Sequence, residues 1–87
     1  MKLNTDFLTH ITKGEHYMIS TAKAKFCGIV KSNDTAAYII ECLKTDTTEE
    51  EIVNKLLEDY QVSSIDIVRH DVANTIDKLR SLGAIVE

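Results

Sequence analysis

Three histidines, two cysteines and a few clusters of acids and bases are the side chains of this sequence that could do chemistry. His10 and His16 could approach each other across a hairpin, which would suggest a weak metal site, while His70 stands far from both. A structural zinc needs four converging ligands, and no cysteine or carboxylate falls at convincing ligand spacing beside either histidine. All three are therefore read as surface or half-buried structural residues. Cys27 and Cys42 form no CxxC motif, and free thiols of this kind pack as small hydrophobes. Glu49, Glu50 and Glu51 are consecutive. On a helix they point in three directions and cannot close on one cation, but they suit the positive end of the helix dipole.

The basic residues are no better organised. Arg69, Lys78 and Arg80 could touch phosphate, yet Asp66, Asp71 and Asp77 are interleaved with them and the whole chain carries a net charge of −4. Duplex binding rests on clustered Lys and Arg that neutralise phosphates, and a recognition helix normally shows less self-cancelling charge. The run Ser32 to Thr35 could open a phosphate-binding helix. It lacks a glycine-rich loop, so a capping role is the simpler reading. No nucleophile lies beside a base and no acid–base pair is visible. The expectation is a protein that is not an enzyme, with no cofactor, no metal and no nucleic-acid partner.

The elements that hold these residues fit one small domain. A chain of 87 residues buries only about 60–65% of its unfolded surface, so a single modest core is expected. Proline is absent, the three glycines are scattered, and neither repeat nor linker appears. No apolar run nears the roughly 20 residues that span a bilayer. Met1 to Thr9 lacks the apolar core of a signal peptide. Two cysteines without a secretion signal read as reduced and cytoplasmic.

The first third alternates like strands. Phe7, Thr9 and Ile11 alternate with Leu8 and His10, Lys13-Gly14 signals a turn, and His16 to Ile19 follows as a second β-rich run. Phe26 to Val30 makes a third. Short connections favour an antiparallel meander, and Gly28 within the third run suggests a bulge or the close approach of another backbone. The remainder is helical. Ala36, Ile39, Ile40 and Leu43 share one helical face, with Asn33 or Asp34 as N-cap. Thr48 with Glu51, or Thr47 with Glu50, fits a capping box ahead of Ile52, Val53, Leu56, Leu57 and Tyr60. A third helix starts near Ser63 or Ser64, carries Ile65, Val68, Val72, Ile76 and Leu79 on one stripe, and stops at Gly83. Ala84-Ile85-Val86 is apolar enough to pack onto the body. The fold class predicted is α+β, a winged helix-turn-helix arrangement of order βββααα, with an N-terminal three-stranded antiparallel sheet packed against a three-helix cluster over residues 1–87.

What this order leaves open is an edge. The third strand ends the meander, and an edge strand offers unpaired N–H and C=O groups to another extended chain. A groove between that edge and the third helix would add side-chain pockets to backbone hydrogen bonds, the β-augmentation mode of peptide capture.

The motifs in their order resemble the PqqD-like family, the precursor-peptide recognition elements of ribosomally synthesised and modified peptide pathways. The family's middle pattern, approximately Leu-Asn-x-Thr-Ala-x-x-Ile-Trp-x-x-Leu followed by Asp-Gly and a Thr-led helix, stands here as Ser32-Asn33-Asp34-Thr35-Ala36-Ala37-Tyr38-Ile39-Ile40-Glu41-Cys42-Leu43, with Thr47 to Val53 next and Asp71-Val72, Ile76, Leu79 and Leu82-Gly83 closing the chain. Ser32 replaces the usual Leu, Ile40 the frequent Trp, and Lys44-Thr45 stands at the Asp-Gly. The resemblance covers about Phe7 to Val86. It implies a non-catalytic protein that binds the leader segment of a precursor peptide as a strand added to the third strand, and presents the rest to a separate modifying enzyme, often a radical SAM enzyme in this family. Delivery of that kind acts through effective concentration.

On this reading the peptide-binding residues are Lys25, Phe26, Cys27, Gly28, Ile29, Val30 and Lys31 from the strand, with Asp71, Thr75, Lys78 and Leu82 from one flank of the third helix. The opposite flank, Arg69, Ala73 and Arg80, is nearly as plausible a wall. Two other readings stand beside it: a winged-helix regulator binding DNA, disfavoured by charge, and a structural subunit that uses the same edge to form a homodimer. Monomer and homodimer are both compatible with the sequence.

Overall fold

The computed structural model describes residues 1–21, 28–60 and 64–87. Eight elements follow in the order β1 (Lys2–Leu3), β2 (Phe7–Thr12), β3 (Glu15–Ser20), β4 (Ile29–Ser32), α1 (Asp34–Cys42), α2 (Glu49–Asp59), α3 (Ile65–Ser81) and β5 (Ile85–Val86). The expected α+β order is present, with a short terminal ladder added to it.

β2, β3 and β4 form an antiparallel sheet in that order. The turn between β2 and β3 has two residues, Lys13 at φ 50° and Gly14 at φ 76°, and Thr12 faces Glu15 across it. Positive φ at both positions marks the type I′ turn, whose twist matches that of the flanking strands. The register then sets the two faces. Thr9, Met18 and Val30 form one cross-strand row, and Leu8, Ile19 and Ile29 form another on the opposite face. The Met18 row packs toward the helices, and Met18 is 1% exposed there. The Ile19 row faces solvent, with Leu8 58% and Ile29 65% exposed.

Each helix begins on a side-chain cap. Asn33 accepts a hydrogen bond from the Ala36 amide at 2.7 Å. Thr48 accepts from Glu51 N–H at 3.2 Å, while the Glu51 carboxylate accepts from the Thr47 hydroxyl at 2.8 Å rather than closing a box on its own cap. Ser64 caps α3; the alternative start at Ser63 lies outside the described residues. α3 ends in a Schellman motif. The Gly83 amide donates to Arg80 C=O at 3.0 Å and the Ala84 amide to Leu79 C=O at 2.9 Å, with Gly83 at φ 77° and Ala84 buried.

The helical faces read from the sequence meet over the sheet. Ile39, Ile40 and Leu43 of the first face, Ile52, Val53 and Leu56 of the second, and Val68, Val72, Ile76 and Leu79 of the third are buried with Phe7, Met18 and Ala84 in one core. α1 and α2 are also clasped at their outer surface. The Tyr38 hydroxyl donates to the Asp59 carboxylate, and its ring meets Tyr60 edge-on at 5.4 Å. Three large residues of the predicted stripes are exposed: Ile65, at the first position of α3, is 46% exposed, Tyr60, in its clasp with Tyr38, 48%, and Ile11, near the hairpin turn, 65%. Periodicity marks a face, but how far the neighbouring layer covers it is a tertiary matter.

The ends of the chain pair with each other. Lys2 faces Val86 and Leu3 faces Ile85 in an antiparallel ladder. Leu3 N–H donates to Leu43 C=O and Asn4 N–H to Ala84 C=O, both at 2.7 Å. Of the Ala84 to Val86 segment expected to pack down, Ala84 is buried and Ile85 packs against the core, while Val86 stays 41% exposed on the ladder with β1.

Candidate functional site

β4 is an edge strand. β3 occupies one side of it, and no described strand lies on the other. Along that side runs α3, and between them opens a cleft of about 430 Å³. Val30 and Lys31 line it from the strand, Thr75, Lys78 and Leu82 from the helix, and Met18 and Ile40 beneath. A smaller cleft of about 250 Å³ continues it past the end of β4. Asn33, Thr75 and Lys78 border both, and Thr35, Asp71 and Asn74 border only the smaller one. The two form one trough that follows the chain from Val30 to Thr35 while running back along α3 from Leu82 to Asp71.

The trough gathers Val30, Lys31, Asp71, Thr75, Lys78 and Leu82 of the eleven residues expected from the sequence. Ile29 lies on the same strand but outward, on the solvent face. Gly28 stands one residue before β4 rather than within it. Its N–H donates to Ser20 Oγ at 2.8 Å, and its carbonyl accepts from the Ser20 amide at 3.1 Å. At φ 154° the backbone is in a region that side-chain-bearing residues rarely adopt, so conformation accounts for this glycine. Lys25, Phe26 and Cys27 lie outside the described residues.

The opposite flank of α3 is committed elsewhere. The Arg69 guanidinium donates to both oxygens of Glu50, at 2.6 and 2.9 Å. These bonds hold the Glu50 carboxyl below the usual carboxylate range. Arg80 binds Glu87, and lies near Asp77 at 3.6 Å. Both arginines thus join parts of this protein to each other.

Other chemistry is not assembled. His10 faces Tyr17 and His16 faces Ile11, so the two imidazoles project from opposite sides of the hairpin; His16 Nε2 lies 3.7 Å from Asp34 instead. Among the described residues no group of three or more His, Cys, Asp or Glu could hold a metal ion. Cys42 is a half-buried free thiol whose pKa burial raises, which makes it a poor nucleophile. No described helix is long and apolar enough to cross a membrane.

Sequence reasoning missed the floor of the trough. Ala36 and Ile40 were legible only as core positions of α1. Met18 comes from the strand next to the edge, and its place beneath the cleft follows from the β3–β4 register alone.

A sequence profile for the family "Coenzyme PQQ synthesis protein D (PqqD)" matches residues 15–85. The chain belongs to the PqqD family. The profile covers β3 through the first residue of β5, and so includes every described residue that lines the trough. Two solved structures share the fold. One is TbiB1 in complex with the TbiA(beta) leader peptide, with 17% sequence identity and a TM-score of 0.76 over 93% of this chain and 90% of that one. The other is lasso peptide synthetase B1 complexed with the leader peptide, with 19% identity and a TM-score of 0.78 over 99% and 96%. No curated protein sequence matches significantly.

Proposed function

We propose that this PqqD-family protein is a non-catalytic carrier. It captures the leader segment of a ribosomally made precursor peptide as a strand added to β4 and delivers it to a separate modifying enzyme. The observation that carries this reading is the open side of β4 facing α3 across the trough. Backbone groups on the strand side would hold any extended chain, and pockets on the helix side would select among side chains. Two proteins with the same fold are described in complex with leader peptides, which supports the assignment. The free thiol of Cys42 suits a reducing cytoplasm.

The test is calorimetric titration with the leader of a precursor peptide encoded beside this protein. Saturable binding with one site per chain is expected. If the folded protein shows no affinity for any neighbouring precursor, the reading fails, and self-association through β4 takes its place.

A further inference from the structure

The two halves of the trough ask for different side chains. The larger is walled by Met18, Val30, Ile40, Leu79 and Leu82. The smaller is bordered by Asn33, Thr35, Asp71, Asn74, Thr75 and Lys78. Lys78 stands where they meet. It is exposed, and among the described residues no carboxylate pairs with it, whereas Lys31 is engaged by Glu15, Lys44 by Glu41 and Arg69 by Glu50.

The sequence around the strand has the same sign. From His16 to Asn33 it carries three lysines, Lys23, Lys25 and Lys31, and no carboxylate, in a chain whose net charge is −4. Three acids bound the region. Glu15 is held by Lys31 at 3.0 Å, Asp71 lies at the far end of the smaller cleft, about 10 Å along the helix axis from Lys78 at 1.5 Å per residue, and Asp34 is turned toward His16. An incoming carboxylate at the junction of the two clefts therefore meets Lys78 before it meets Asp71 or Asp34.

We propose that Lys78 selects peptides that carry an aspartate or glutamate one strand repeat from a large apolar side chain. The inference rests on the leader-binding reading and specifies its guest. Along α3, Lys78 and Leu82 are four residues apart, a rise of about 6 Å. Side chains on one face of a strand recur every 6.7 Å or so. A guest strand beside β4 that runs along α3 and sets an apolar residue against Leu82 thus brings the residue two positions away to Lys78.

Selection from a display library of random linear peptides on the full-length chain supplies the probe, and fluorescence anisotropy measures it. Selected peptides should share an acid two positions from Leu, Ile, Phe or Tyr. Lys78→Glu should weaken the best of them on the order of tenfold at low salt, and less as salt screens the pair. Changing the peptide's acid to lysine should restore binding to Lys78→Glu. Lys78 is exposed, so circular dichroism should show an unchanged fold. If peptides bind and Thr75→Arg blocks them, but they share no acid or ignore Lys78→Glu, the charge selection is wrong and the carrier reading survives. If no peptide is selected and the encoded leader also fails to bind, both are wrong.

Discussion

Glu50 on α2 accepts two hydrogen bonds from the Arg69 guanidinium on α3, at 2.6 and 2.9 Å. This fork ties the two helices together across their exposed shoulders and removes Arg69 from the residues free to meet a partner. It also makes Glu50, with Glu15 and Asp46, one of the carboxylates whose lowered pKa values contribute to the acid limb of the stability curve. Unfolded, Glu50 titrates near the ordinary value of about 4.3; folded, its pKa is lower, chiefly through the bonds from Arg69. Its stabilising contribution is whole above the ordinary carboxylate range and is lost as pH falls through the lowered folded value. Glu50→Gln should therefore lower the urea midpoint at neutral pH and flatten its fall below about pH 4.3. A mutant whose acid limb runs parallel to the wild type would show that the pair contributes nothing.

Thr75 borders both halves of the trough, and its hydroxyl bonds back to Asp71 C=O at 2.9 Å. Arginine there would fill the trough without entering the core. Thr75→Arg should weaken leader binding by roughly 1–3 kcal/mol while the melting temperature stays close to that of the wild type. Calorimetry at matched peptide concentration measures the loss. Undiminished affinity would move the binding surface off this flank.

Arg69 and Arg80 are both paired within the protein, and the net charge is −4. Anisotropy titration with labelled duplex DNA at physiological salt should show no salt-dependent, saturable binding. Sub-micromolar affinity for a specific duplex would replace the carrier reading with a regulator.

Gly83 ends α3 at φ 77°, and a Cβ built there meets nothing within 4 Å. Crowding is therefore excluded as a cost, leaving the left-handed conformation itself. Gly83→Ala should destabilise by about 1–2 kcal/mol, measured by urea unfolding, and Gly83→Asn by less, because asparagine tolerates that region better. Equal losses for the two would point to some other role for this position.

The helices were readable because each repeats its apolar residues with the helical period and opens on a capping side chain: Asn33, Thr48 and Ser64 are all caps. The strand meander was readable from alternation and from Lys13-Gly14. The β1–β5 ladder was not. A strand of two residues has no period, and its partner is more than eighty positions away. Of the site, helical geometry offered two flanks of α3, one with Thr75, Lys78 and Leu82 and one with Arg69 and Arg80, and the packing of α3 beside β4 puts the first of them along the cleft. Met18 was not legible, because only the pairing of β3 with β4 shows which side chains lie beneath the edge.

The ladder between Leu3 and Ile85 makes the chain almost a ring. Antiparallel β1 and β5 are the two arms of a hairpin that lacks only its turn. A few flexible residues linking Glu87 to Met1 would supply that turn, and a new opening at the exposed Lys13-Gly14 hairpin tip would leave the trough whole, since neither residue borders it. Circular permutation succeeds at sites of this kind. In such a permutant the β1–β5 ladder would be a local hairpin rather than a contact between residues more than eighty positions apart.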